Sequence, residues 1–293
     1  MHVFITGATG LIGSAVVAEL LGAGHSVTAL TRSDASAAKA VAAGAGTVRG
    51  ELGDLDVLRE SARQAEGVIH LAFGNDFSSA EALTRNVTEE SAALAALGEA
   101  LVGSGKPLVT VSGTPWIPGR ASTEDDPLPT DGPVGGRSIT VNRTLGLASQ
   151  GVRTSAIRLP RTVHNEGEGG FAGLLTGIAR QSGVSGYPGD GSQRWPAVHA
   201  LDAAVLFRLA LEGAPAGSAW HAVADEGDTV LDIVTVIGRR LGLPVAARPV
   251  EEFGPIGPVF TTDQPASSAR TRAELGWEPT HPALLDDLEL IQA

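Results

Sequence analysis

The sequence predicts an α/β fold: a Rossmann-type doubly wound parallel sheet with a smaller C-terminal substrate-binding lobe. Three observations carry this. Short apolar runs alternate with amphipathic stretches of helical period, and strands joined by helices imply right-handed crossovers and parallel pairing. The glycine-rich segment T-G-A-T-G-L-I-G, Thr6 to Gly13, comes directly after the first apolar run, where this architecture turns from strand to helix around a phosphate. The length of 293 residues suits one large α/β domain, or a nucleotide domain with a second lobe, with a core to match.

The elements follow in order. HVFIT is the first strand, with a helix expected from about Leu11 to Leu21; SVTALT is the second strand, with a helix near Ala35 to Ala43. TVRG, a helix near Leu55 to Gln64, GVIHLA, a long helix from about Ala80 to Val102 and PLVTVS continue the alternation. The span from Gly113 to Gly136 is rich in Pro, Gly and acids and reads as a long surface loop. A helix near Ile139 to Ser149 and the strand RTSAIRL resume the pattern. Beyond Pro160 it loosens, with helices near Asp202 to Leu211, Leu231 to Leu241 and Ala283 to Ile291. The expected dinucleotide-binding domain is 1–165 with 198–223, and 166–293 forms mainly the substrate-binding lobe, interleaved with that core.

Composition excludes several classes. There is no cysteine, hence no disulfide framework, thiolate metal site or cysteine nucleophile. The 33 acidic against 21 basic residues give a net charge of -12, which repels phosphate backbones and argues against a nucleic-acid partner. No basic leader precedes the first strand, and no apolar run is long enough to span a bilayer, so a soluble cytoplasmic protein without a membrane partner is expected. No H-E-x-x-H motif or clustered His/Asp ligands stand out, and no protein-bound metal is expected. GEALVGSGKP imitates a phosphate loop only in part, because Ala100 stands where its first glycine belongs and Pro107 where a hydroxyl should follow the lysine.

The glycine loop carries the strongest chemical signal. Thr6 ends the strand; Gly7 permits the sharp turn, Gly10 lets backbone approach a pyrophosphate, and Gly13 lets helix and sheet pack closely. With Thr9, Leu11 and Ile12 they form the expected diphosphate site, where the helix N-terminus offers free N–H groups and partial positive charge. At the end of the second strand an acid would bind the ribose hydroxyl of NAD, but this chain has Thr31, Arg32 and Ser33. A guanidinium suits a 2'-phosphate, so NADP(H) is the expected cofactor. Asp34 stands close by, and the alternative reading of Arg32 is a solvated surface charge.

The set TGATGLIG, GELGDLD around Asp54, VIHLA, LVTVSG, GVRTSAIRLPRTVH, GDGSQRWPAVHALDAA and SSARTRAELGWEP resembles the extended or atypical short-chain dehydrogenase/reductase superfamily, also called the NAD-dependent epimerase/dehydratase family, nearly end to end. The resemblance implies that Asp54 and Leu55 contact adenine, that Leu71 and Ala72 lie beside the cofactor, and that Pro160 sits near the nicotinamide. Asp54 has a second reading as a helix cap. Members often dimerise through the helices that here run near Ala80 to Val102 and Ile139 to Ser149, so a homodimer is an expected partner state.

The resemblance also implies a tyrosine and a lysine four residues apart, counted here to Val134 and Ser138. Neither residue is present: the single tyrosine is Tyr187, and the two lysines, Lys39 and Lys106, lie far from it. Reducing a ketone makes a strongly basic alkoxide that needs a proton, whereas reducing an iminium ion gives a neutral amine and needs only positioning and charge stabilisation. The candidate catalytic groups are Ser112 and Thr114, at the family's hydroxyl position, with Arg137 and His164. Each has an alternative reading: loop hydrogen bonds for the two hydroxyls, a salt bridge to the Glu124 to Asp126 run for Arg137, and a structural hydrogen bond for His164. His199 and Asp202 are expected to support a strand-to-helix junction. Arg194 matches an arginine that nucleotide-sugar members use on a diphosphate, and Trp195 after it reads as an apolar substrate wall. The expected function is an NADP(H)-dependent oxidoreductase acting on a small organic substrate, C=O or C=N, with a non-standard proton donor. The alternatives are a non-catalytic NADP-sensing regulator and a nucleotide-sugar epimerase or dehydratase.

Overall fold

The computed structural model describes residues 1–74, 76, 79–132 and 135–292. In chain order these form β1 (His2–Thr6), α1 (Leu11–Gly22), β2 (Ser26–Thr31), α2 (Asp34–Ala42), β3 (Gly46–Arg49), α3 (Leu55–Gln64), β4 (Gly67–His70), α4 (Ala80–Leu101) and β5 (Pro107–Gly113). There follow α5 (Gly135–Gly146), β6 (Arg153–Leu159), β7 (Thr162–His164), α6 (Gly170–Ser182), β8 (Ser185–Tyr187), β9 (Arg194–His199), α7 (Ala200–Gly213) and β10 (Ser218–His221). The chain closes with β11 (Asp225–Thr229), α8 (Val230–Leu241), β12 (Val245–Ala247), α9 (Gly257–Phe260), α10 (Ala269–Leu275) and α11 (Leu284–Asp287).

The chain divides into two compact units. One comprises Met1–Ser112, Leu128–Arg158 and Ala204–Trp220; the other comprises Gly113–Pro127, Leu159–Ala203 and His221–Ala293. The first is built on a seven-stranded sheet of order β3-β2-β1-β4-β5-β6-β10. β1 pairs in parallel with β2 on one side and β4 on the other, so Phe4 lies between Thr28 and Val68. Strand order therefore reverses at β1, and a ligand crevice opens at such a switch point, outside the carboxyl ends of the strands. The predicted doubly wound α/β fold is the observed one.

Period-2 alternation places Phe4, Val68 and Leu108 on one face of this sheet, where they pack with Leu58, Ala62, Ala93 and Leu97 of α3 and α4. The intervening Val3, Ile5, Ile69 and Val109 are fully buried as well, so both faces are covered and the strands read as nearly unbroken apolar runs. Side-chain caps mark the starts of α2 and α4. Ser33 accepts from Ser36 N while Ser36 Oγ accepts from Ser33 N, and Ser79 accepts from Ala82 N.

The helix α5 begins at Gly135 and not at Ile139. Gly135 and Gly136 carry no helical propensity, but a Cβ on Gly136 would stand 2.8 Å from Val87 Cγ1. Gly136 lets α5 close on α4, a reason invisible locally. At the C-terminus, the expected helix from Ala283 to Ile291 is only α11, followed by a 3₁₀ turn at Leu288–Leu290.

The second unit has a three-stranded sheet, β11-β9-β7, and the parallel pair β12-β8. Its core gathers Trp195, Phe260, Ile233, Val234, Ile237, Leu284 and Leu288. The α8 residues at positions 230, 233, 234 and 237 supply one apolar face. Thr229 caps this helix by accepting from Asp232 N at 3.1 Å.

Candidate functional site

In the first unit the turn after β1 is shaped by glycine for steric reasons. Gly7 has φ +76°, and a Cβ there would lie 2.8 Å from Ala72 N; a Cβ on Gly13 would lie 2.0 Å from Gly7 O. Gly10 is the N-cap residue of α1 and offers no side chain to its first-turn N–H groups, which leaves that end suited to an anion. A cleft of about 350 Å³ opens there, lined by Gly7, Thr9, Gly10, Arg32, Leu71 and Ala72 among others. Thr6 Oγ1 accepts from Ala72 N at 3.2 Å and ties the ends of β1 and β4 together. Leu11 and Ile12 open α1 behind the turn.

The residues after β2 divide by role. Arg32 is exposed and lines the cleft, and Asp34 is drawn away by Arg49 at 2.8 Å. Thr31 is buried, and the Ser33 hydroxyl is committed to the cap of α2. Asp54 sits at the N-cap position of α3 without capping it; its carboxylate accepts from Glu51 N at 2.8 Å. Leu55 packs against the α3–α4 core. Lys39 was not among the expected residues: its ammonium donates to Thr9 O at 2.7 Å and brings a cation to the glycine loop. The available signal was its place one helical turn after Ser36, on the same face of α2.

Beyond the cleft, His70 at the end of β4 is fully buried, with Nδ1 at 2.9 Å from Thr6 Oγ1. Thr6 Oγ1 therefore bridges the Ala72 N–H and the His70 ring. Burial first, and the Arg137 cation second, push the His70 pKa down to about 3. Ser112, on β5, is 8 % exposed, and its hydroxyl has no partner among the described residues. Arg137 closes on Glu90 and not on the Glu124 to Asp126 run, with Nε and Nη2 at 2.8 and 2.7 Å from its carboxylate. The expected acid is corrected because α5 packs directly on α4, which carries Glu90. Within the second unit, Glu124 is taken by Thr271, whose N and Oγ1 donate at 2.8 and 2.6 Å.

The remaining candidates lie in the second unit. Thr114 N donates to Leu159 O at 2.9 Å, and Thr114 O accepts from Gln264 Nε2 at 2.6 Å. Pro160 is buried in the turn between β6 and β7. His164 is 1 % exposed; its Nδ1 lies 2.9 Å from Asp287 Oδ2, and Asp287 also accepts from Glu166 N and Gly167 N. His199 Nδ1 accepts from Leu201 N, which supports the junction as expected, and its ring stacks on His281 at 4.9 Å. The expectation that no His/Asp ligands cluster is corrected: ligand atoms of His164, His199 and Asp287 lie within 4.8 Å of one another. The sequence does not reveal this because Asp287 is far along the chain from both histidines. Asp202 anchors the C-terminal segment by accepting from Thr280 N, His281 N and His281 Nδ1. Arg194 closes on Asp263. Trp195 is 0 % exposed against Phe171 and Phe260, so the expected substrate wall is corrected to a core residue.

A model of the NAD dependent epimerase/dehydratase family matches residues 3–222. This chain belongs to the NAD-dependent epimerase/dehydratase family. It is 44 % identical over 294 residues to an uncharacterized protein of Schizosaccharomyces pombe, covering 98 % of each chain. It is 29 % identical over 310 residues to a 3-diazoavenalumate denitrifying reductase of Streptomyces sp., covering 98 % of this chain and 99 % of the relative. Among solved structures, the UDP-glucose 4-epimerase of Thermotoga maritima, determined with UDP-glucose, superposes with a TM-score of 0.78 at 21 % identity, covering 99 % of this chain and 97 % of that one. In this epimerase/dehydratase family member the place counted for a tyrosine, Val134, lies outside the described residues, and Ser138, counted for the lysine, is buried in α5. Tyr187 stands on β8, paired to β12. No helix among the described residues is long and apolar enough to cross a membrane.

Proposed function

We propose that this family member is an NADP(H)-dependent oxidoreductase that acts on a small organic substrate at a C=O or C=N bond, without a tyrosine as proton donor. The observation that carries the cofactor reading is Arg32. It lines the cleft beside the glycine cradle with no carboxylate partner among the described residues, while Asp34, the acid nearest in sequence, is engaged by Arg49. A free guanidinium at that position fits a phosphate better than a ribose hydroxyl. The Gly7 and Gly13 geometry and the Lys39 ammonium fit a diphosphate along the start of α1. When bound, the cofactor supplies or accepts a hydride.

The Ser112 hydroxyl of the first unit, buried and unpartnered among the described residues, is the proposed hydrogen-bonding group for a substrate heteroatom; the Thr114 hydroxyl of the second unit is proposed separately as an alternative for that role. Arg137, held by Glu90 in the first unit, and His164, held by Asp287 in the second, are each proposed separately as catalytic candidates. A C=N acceptor agrees with the missing tyrosine, since a pre-protonated imine needs no alkoxide to be neutralised. The relative named as a reductase of a diazo compound supports acceptors other than ketones.

Fluorescence titration with NADPH and NADH tests the cofactor reading: tighter NADPH binding is expected, and NADH preference or no binding of either overturns it. Cofactor oxidation across a panel of imines and ketones tests the reaction. NADPH binding without turnover of any member would favour an NADP-sensing protein instead.

A further inference from the structure

Arg161, in the turn between β6 and β7, is a half-buried cation without an anion among the described residues. A guanidinium carries five N–H donors; here Nη1 donates to Val259 O at 3.0 Å, and Nε is buried with no partner among the described residues. Its charge lies over two aromatic rings, 5.2 Å from the centroid of Phe171 and 5.7 Å from that of Trp195. Among the described residues no carboxylate forms an ion pair with it, whereas Arg194 and Arg120 in the same unit each close on an aspartate. Burial pulls the Arg161 pKa down to about 10, the direction expected of a cation taken out of water with nothing negative beside it. Aromatic faces offset part of that cost, but a buried charge is ordinarily paired.

We propose that Arg161 is an anion receptor, and that its ligand is a carboxylate borne by the substrate. The charge balance and the geometry both select that group. One unpaired positive charge is neutralised by one negative charge, and a planar fork matches the two oxygens of a carboxylate. A phosphate dianion would call on a second cation, and Arg194 on β9, the strand beside β7, is already closed on Asp263. The proposal rests on the oxidoreductase reading only in calling the carboxylic acid a substrate; its binding to Arg161 stands separately.

Calorimetric titration of the full chain, with and without NADP, uses phenylpyruvate, its neutral methyl ester and inorganic phosphate as probes. The acid is expected to bind at least about 10-fold more tightly than the ester. Arg161→Gln loses that preference while ester binding stays the same, and Arg161→Lys, which keeps the charge but not the fork, falls between. Equal binding of acid and ester, phosphate in preference to the acid, no binding of the acid, or full retention of acid binding by Arg161→Gln each overturns the proposal. Arg161→Gln is expected to melt at or above the wild-type temperature, since an uncompensated charge is removed; a fall of several degrees marks a structural cation and overturns it. NADPH titration of the same proteins separates the two readings: wild type that binds the acid but not NADPH retains the receptor and loses the cofactor.

Discussion

Arg137 holds both carboxylate oxygens of Glu90 across the contact between α5 and α4, and the Glu90 side chain is 1 % exposed where that of Arg137 is 24 %. The guanidinium also lies 4.1 Å from the centroid of the Phe73 ring. Removing the cation strands a buried carboxylate. Arg137→Ala is expected to lower stability by about 3 kcal/mol, at the low end of the range for broken buried pairs because the arginine is partly solvated. The double substitution Arg137→Met with Glu90→Leu should recover most of that loss. Urea denaturation of Arg137→Ala, of Arg137→Met and Glu90→Leu singly, and of the double variant checks this, and additive losses would show that the two residues do not act as a pair.

Arg32 governs cofactor choice under the proposed function. Arg32→Ala removes charge-assisted hydrogen bonds of about 1.5–3 kcal/mol in total, equivalent to roughly a 10- to 100-fold weaker NADPH Kd. NADH affinity should remain within about 2-fold. Fluorescence titration of both cofactors reads the difference, and parallel loss of both would assign Arg32 a general folding role.

His70 links stability to pH. Its folded pKa of about 3 lies below the ordinary value of about 6.5, so the unfolded chain takes up a proton that the folded chain refuses. The stability from this group is complete above about pH 6.5 and is lost as pH falls toward 3. His70→Asn keeps a hydrogen-bonding partner for the Thr6 hydroxyl without a titrating ring. It should flatten the slope of unfolding free energy between pH 6 and 4 by up to about 1.4 kcal/mol per pH unit. Chemical denaturation at several pH values gives the slope, and an unchanged slope would show that His70 is not the group responsible.

Asp287 gathers His164 Nδ1, Glu166 N and Gly167 N. Asp287→Ala leaves these donors buried without an acceptor, and a loss of about 3 kcal/mol or more is expected. Because Asp287 belongs to the C-terminal segment, limited proteolysis should then cleave beyond Pro282 sooner than in wild type. Equal proteolysis rates would mean that Asp202, through Thr280 and His281, holds the segment unaided.

What the sequence alone determined is what short-range rules encode. Alternation of strand and helix periods foretold the parallel sheet, and SVTALT, RTSAIRL and the helix from Leu55 to Gln64 have the predicted bounds. The glycine loop was legible because the positive φ of Gly7 and the contact of Gly13 with Gly7 O are set within a single β–α unit. The tertiary structure decided the partners: Glu90 for Arg137, Asp287 for His164, an aromatic box for Arg161, and the core for Trp195. Those pairings join residues far apart in the chain, and they depend on which helix packs against which and how each strand is turned. Charge and hydrogen-bonding capacity are written in the residue, but the neighbour that satisfies them is set by packing over the whole chain.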